Sequence, residues 1–258
     1  MFQTIQGRRI EYELIRGQQP ALVMVFLHEG LGSVAMWKDF PARCAQAAGC
    51  DALVYSRYGY GQSDSINEPR GVEYMHDEAL KTLPELLAKL DIERPILFGH
   101  SDGASVALIH ASRHTVAGVA VLAPHLFVED IALDGIRSIR NAYEAGDLKA
   151  RLARYHADPD SAFWGWHDIW LHPDFRAWNI QDYVDRIQSP VLGIQGIDDE
   201  YGTMEHLDRI PGAELLKLEN CRHSPHRDQP EAVIAATARF VQGLNKPNGK
   251  ETRPTPGP

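Results

Sequence analysis

Residues 99–103 read Gly-His-Ser-Asp-Gly, and with their flanks they constrain this chain more than any other stretch. The apolar run Pro95-Ile-Leu-Phe98 precedes them, and Ala-Ser-Val-Ala-Leu-Ile-His follows and reads as a helix. A serine on a sharp strand-to-helix turn needs a backbone conformation that side chains crowd. Gly99 and Gly103 remove that crowding and let Ser101 stand exposed above a sheet edge. The five-residue pattern alone would arise in roughly one chain in ten of this length. The strand before it and the helix after it make it a candidate nucleophile turn.

The rest of the chain supplies a sheet for that turn. Residues 9–15 alternate polar and apolar, which predicts a half-buried edge strand. Residues 21–27 are continuously apolar and predict a strand covered on both faces, as does 52–55. Further strands are predicted at 95–99, 116–123, 190–196 and 213–218. Helical spacing over 35–48, 73–91, 102–113, 203–210 and 228–243 fills the gaps. Pro84 ends or kinks the 73–91 helix unless it lies in the first turn of a second piece. This alternation predicts an α/β fold, with a parallel sheet and helices on both faces.

Between residues 126 and 189 the alternation stops and the chain reads as helices only, with Trp164, Trp166, Trp170 and Trp178 crowded together. The expected organisation is a core of 1–126 and 190–243, a helical insert of 127–189, and a tail of 244–258. That tail is rich in Pro, Gly, Lys and Asn, and cannot bury enough surface to order itself.

Composition narrows the function classes. The 258 residues carry 26 basic and 35 acidic side chains, net charge −9, with no basic stripe, so no nucleic-acid partner is expected. Cys44, Cys50 and Cys221 are an odd set without a Cys-x-x-Cys spacing, which argues against a disulfide scaffold or zinc knuckle. They read as reduced thiols of a cytoplasmic protein. No secretory signal and no membrane span are expected.

A serine is a poor nucleophile until a base takes its proton and a third group orients that base. Both should follow later strands at the same sheet edge. After 190–196 come Asp198, Asp199 and Glu200; after 213–218 come His223 and His226. The chain order serine, acid, histidine is the one this architecture uses.

On these residues the sequence resembles the α/β-hydrolase superfamily over roughly residues 8–243. The likeness is carried by His28-Glu-Gly-Leu-Gly-Ser33, Arg57-Tyr-Gly-Tyr-Gly-Gln-Ser63, the 99–103 turn, Gly196-Ile-Asp-Asp199 and Arg222-His223-Ser-Pro-His226. The resemblance implies a mostly parallel, doubly wound sheet of about eight strands, with a helical cap inserted over the active site. It implies Ser101 as nucleophile, Asp199 as triad acid and His223 as base. Glu29 stands where the family usually has Gly. The oxyanion hole would combine the amide of Asp102 with that of Gly30, Leu31 being the alternative.

Other residues carry competing readings. Asp102 either reads a substrate amine, as in valacyclovirase-type amino-acid esterases that share Ser-Asp-Gly, or caps the following helix. Trp164, Trp166 and Trp170 either glue the cap to the sheet or line a pocket for a bulky or aromatic acyl group, with His125 and Leu31 beside them. His28 reads as a turn-stabilising residue and Cys221 as a packing thiol. His110 and His114 have a metal-like spacing but lack the neighbouring glutamate, so no metal is expected. The expected function is a serine-dependent hydrolase of carboxylic esters, working through an acyl-enzyme on a small-molecule substrate without a cofactor. A carbon–carbon bond hydrolase of ring-cleavage products, a thioesterase and a slow-turnover ligand receptor are the alternatives. A homodimer is left open.

Overall fold

A computed structural model describes residues 1–17 and 22–244. Its eight strands are β1 (Phe2–Ile5), β2 (Arg8–Ile15), β3 (Val23–Leu27), β4 (Asp51–Tyr55), β5 (Ile96–His100), β6 (Gly118–Leu122), β7 (Val191–Gly196) and β8 (Glu214–Leu218). They form one sheet in the order β1-β2-β4-β3-β5-β6-β7-β8. The β1–β2 and β2–β4 pairs are antiparallel, and every pair from β4 to β8 is parallel.

The central strands are apolar on both faces because both faces are covered. Val25, Leu27, Leu53, Leu97 and Val121 pack towards the Leu83–Lys89 and Asp102–Ala111 helices. Met24, Phe26, Val54, Phe98 and Ile194 pack on the opposite side against helices Phe40–Ala48 and Pro230–Leu244. Strand order reverses between β3 and β5, which opens a crevice at the carboxyl ends of these strands.

One local expectation is corrected, and the break near Pro84 takes the form the sequence reading left open. Residues 9–15 do not form the sheet edge, because Phe2–Ile5 pairs outside them and was too short to show a pattern. The 73–91 helix is three pieces: Tyr74–Asp77, a π-helical turn Glu78–Thr82, and Leu83–Lys89, with Pro84 in the first turn of the last. A proline ring clashes with the carbonyl four residues back, and the wider π turn relieves that clash.

Between β6 and β7 the described chain holds helices, chiefly Asp130–Ser138, Leu148–Leu152 and Pro159–Trp170, plus one isolated bridge from Phe127 to Asn179. The expected tail 244–258 lies outside the described residues apart from Leu244, which ends the last helix. Among the described residues no helix is long and apolar enough to cross a membrane.

Candidate active site

Ser101 occupies the turn between β5 and the Asp102–Ala111 helix with φ 53° and ψ −120°, a left-handed conformation that a non-glycine residue holds only under strain. The flanking glycines permit it by close packing. A Cβ on Gly103 would lie 2.1 Å from the carbonyl oxygen of Leu27, and one on Gly99 would lie 2.4 Å from that of Gly103. The helix therefore presses directly onto β3 and β5, and Ser101 is lifted into the crevice between them.

Two loops meet this serine. Ile197 and Asp198 donate their amides to the carbonyls of Leu218 and Cys221, at 2.8 and 3.0 Å, which straps the loop after β7 to the loop after β8. Gly196 is bare because the Cys221 carbonyl passes 2.0 Å from where its Cβ would be. The result is a continuous relay: His223 Nε2 lies 2.9 Å from Ser101 Oγ, and His223 Nδ1 lies 2.8 Å from Asp199 Oδ1.

Asp199 is held from several sides. Gln195 Nε2 donates to its Oδ2 at 3.0 Å, and the Tyr201 amide donates to its Oδ1 at 2.9 Å. Burial alone would raise this carboxyl, but the hydrogen bond and charge of His223 outweigh burial and hold it below its ordinary value. The competitors stand elsewhere. Glu200 accepts the backbone amide of His223, and His226 packs among Trp37, Phe40 and His100. His100 Nε2 donates to the His223 carbonyl at 2.7 Å and holds that residue's backbone from behind. Neither Gln195 nor His100 stood out in the sequence, because each acts only through a residue distant along the chain.

The amides of Gly30, Leu31 and Asp102 make no hydrogen bond among the described residues, and all three residues border the cavity at Ser101. His28 Nδ1 donates to the Glu29 carbonyl at 2.7 Å, and its Nε2 accepts the Arg57 amide at 3.0 Å. Burial keeps this imidazole neutral by pushing its pKa well down. So His28 shapes the turn that presents Gly30.

The cavity, about 270 Å³, is walled by Ile136, Ile139, Leu148 and Leu152 from the helical insert and by Trp166 and Trp170. Trp166 leans onto bare Gly30: a Cβ there would be 2.1 Å from its indole nitrogen. His125, 3% exposed, packs edge-on to Trp170 with ring centroids 5.0 Å apart. Burial, then the neighbouring His206 and His223, lower its pKa and keep it neutral.

Two expectations fail. Trp164 does not border this cavity; it packs on Phe163 and Tyr143 and lines a separate hollow with Ile66 and Arg70. At about 100° per residue, 166 and 170 share a helix face and 164 points away. The Asp102 carboxylate is not open to a substrate amine. It is fully buried, accepts from Tyr74 Oη at 2.7 Å and Trp170 Nε1 at 3.2 Å, and lies 3.7 Å from the Arg57 guanidinium. Nor does it cap its helix, whose N-cap makes no side-chain bond. It is a buried anion balanced by a buried cation.

His110 donates its Nδ1 proton to the Ala79 carbonyl at 2.8 Å and stacks on His114. Among the described residues no three His, Cys, Asp or Glu side chains converge as a metal site. Chemically, an imidazole held between a hydroxyl and a carboxylate can take the hydroxyl proton and stabilise the imidazolium that forms.

Comparison with known proteins agrees with this architecture. The model of the Alpha/beta hydrolase family matches residues 24–236. The sn-1-specific diacylglycerol lipase ABHD11 of Danio rerio is 21% identical over 280 residues, covering 93% of this chain and 84% of that protein. Among solved structures, a carboxylesterase of the thaumarchaeon Nitrososphaera gargenis superposes with TM-score 0.76 at 18% identity, over 95% of this chain and 98% of that one. The enol-lactonase of Burkholderia xenovorans LB400 gives 0.72 at 17% identity, over 94% and 100%. The family model spans most of the chain, β3 to the closing helix, and on that match the chain belongs to the alpha/beta hydrolase family.

Proposed function

We propose that this protein is a serine-dependent hydrolase of carboxylic esters that works through an acyl-enzyme. The carrying observation is the relay of 2.9 and 2.8 Å joining Ser101, His223 and Asp199 at the mouth of an apolar cavity. His223 takes the Ser101 proton as Oγ attacks the ester carbonyl, and Asp199 holds the imidazole in the tautomer that accepts it. The amides of Asp102 and Gly30 receive the negative charge developing on the carbonyl oxygen; each such donor contributes about 3 kcal/mol. His223 passes the proton to the departing alcohol, then activates the water that releases the acid.

The aliphatic wall from the insert, with Trp166 and Trp170, favours a bulky apolar or aromatic acyl group. The ester-cleaving names among the similar proteins support the same bond class. The test is a panel of p-nitrophenyl esters and aryl thioesters against wild type and Ser101→Ala. Steady turnover by wild type should fall by about a thousandfold or more in the variant. Undiminished turnover by Ser101→Ala overturns the reading. A burst of leaving group without steady turnover marks a slow receptor instead.

A further inference from the structure

A second cavity, about 450 Å³, adjoins the first and shares with it Met36, Arg151, Tyr155 and Arg227. Its character is opposite. Lys38, Arg43, Arg151, Arg154 and Arg227 line it, against the single acid Asp39. This concentration of cations stands out in a chain of net charge −9. Arg227 is paired with Glu29 at 3.0 Å, Arg151 approaches Asp147 at 3.8 Å, and Arg43 meets Glu231 and Asp39. Lys38 and Arg154 have no ion-pair partner among the described residues. Beneath them His226, 4% exposed, borders the same groove, and neither of its ring nitrogens has a hydrogen-bond partner. The imidazole itself is packed among Trp37, Phe40 and His100, so the groove's affinity comes from its cations, and two unpaired cations beside three paired ones favour an oxygen-rich anion.

The position of the groove says which part of a substrate reaches it. The acyl group occupies the apolar cavity under Ile136, Ile139 and Leu148. The departing oxygen or sulfur must lie at His223, which gives it a proton. The chain just beyond His223 supplies His226, Arg227 and Pro230 to the groove wall. A leaving group passing His223 therefore runs into the cations.

The geometry points to a leaving-group subsite: the substrate is an acyl ester or thioester of a phosphorylated alcohol or thiol, whose phosphate binds in the basic groove. This rests on Ser101 being the nucleophile. In the step, the Ser101 Oγ–acyl bond forms and the acyl–leaving-group bond breaks. The Ser101 proton moves through His223 to the departing atom, and water then hydrolyses the acyl-enzyme. Phosphate is favoured over carboxylate because its double charge and three oxygens engage several guanidinium forks at once.

The experiment compares hexanoyl esters of 1,3-propanediol, 3-hydroxypropanoate and 3-hydroxypropyl phosphate. The phosphate ester should have the highest kcat/KM, about tenfold or more above the neutral ester, and the advantage should shrink with added salt. In Lys38→Gly/Arg154→Ser the phosphate-to-neutral ratio should fall towards one; glycine suits position 38, where φ is 54°. Folding of the variant is checked by circular dichroism. Equal kcat/KM for all three esters, preference for the carboxylate, or a ratio unchanged in the double variant overturns the subsite. Calorimetric binding of the phosphate and neutral esters to Ser101→Ala separates the two readings. Tighter phosphate-ester binding without wild-type turnover keeps the groove and removes the hydrolase, whereas equal binding removes the groove.

Discussion

Asp102 shows at single-residue scale how context overrides local pattern. Next to Ser101 it reads, from sequence, as a substrate-facing or helix-capping acid. Its actual partners, Tyr74, Trp170 and Arg57, come from three separate segments, and no local pattern brings them together. Removing its charge strands the buried Arg57, and breaking a buried pair costs about 3–5 kcal/mol. Asp102→Asn should lower stability by that order in urea titration. It should also reduce turnover of cationic and neutral esters alike; a loss confined to cationic esters would restore the amine-reading role. The strained backbone of Ser101, by contrast, was legible from its two glycines, because the requirement is local.

At the scale of elements, the Pro159–Trp170 helix divides its aromatics by face. Trp166 and Trp170 reach the site, and Trp164 serves packing within the insert. Trp166→Ala should raise KM for a phenylacetyl ester by about tenfold, the loss of roughly one aromatic contact. Trp164→Ala should leave that KM unchanged while lowering Tm. Steady-state kinetics with thermal melts checks both, and a KM that rises equally in the two variants would contradict the division. The sequence showed that tryptophans cluster here. Which of them face the site depended on helix phase relative to the sheet, which the insert's own sequence does not encode.

Over the whole molecule, many buried histidines are held neutral. Burial lowers the pKa of His28, His125, His206 and His226, and pushes His110 down to about 4. The unfolded chain takes up these protons first, so it binds more protons than the native state between the two values, and stability falls as pH drops through that window. For His110, 2% exposed, the window runs from the ordinary histidine value of 6.5 down to about 4 and withdraws on the order of 3 kcal/mol. The fold should therefore lose stability on acidification before the carboxylates titrate. His110→Gln should flatten the dependence by about 1.4 kcal/mol per pH unit in that window, read by denaturant titrations at several pH values. An unaltered slope would mean that His110 is already protonated in the native state.

The short β1 was not legible in the sequence alone, whereas the alternation of strands and helices from β2 onward, the sharp turn at Ser101 and the two loops carrying Asp199 and His223 were. Each rests on patterns a few residues long: apolar runs, helical spacing, glycines flanking a serine. The family resemblance already picks Asp199 over Asp198 and Glu200, whereas the burial of Asp102, the facing of the tryptophans and the basic groove beside His223 were decided only by the tertiary structure. These depend on which distant side chains meet when the sheet closes. That meeting is governed by long-range packing and by the need to pair every buried charge, and neither leaves a local signature in the chain.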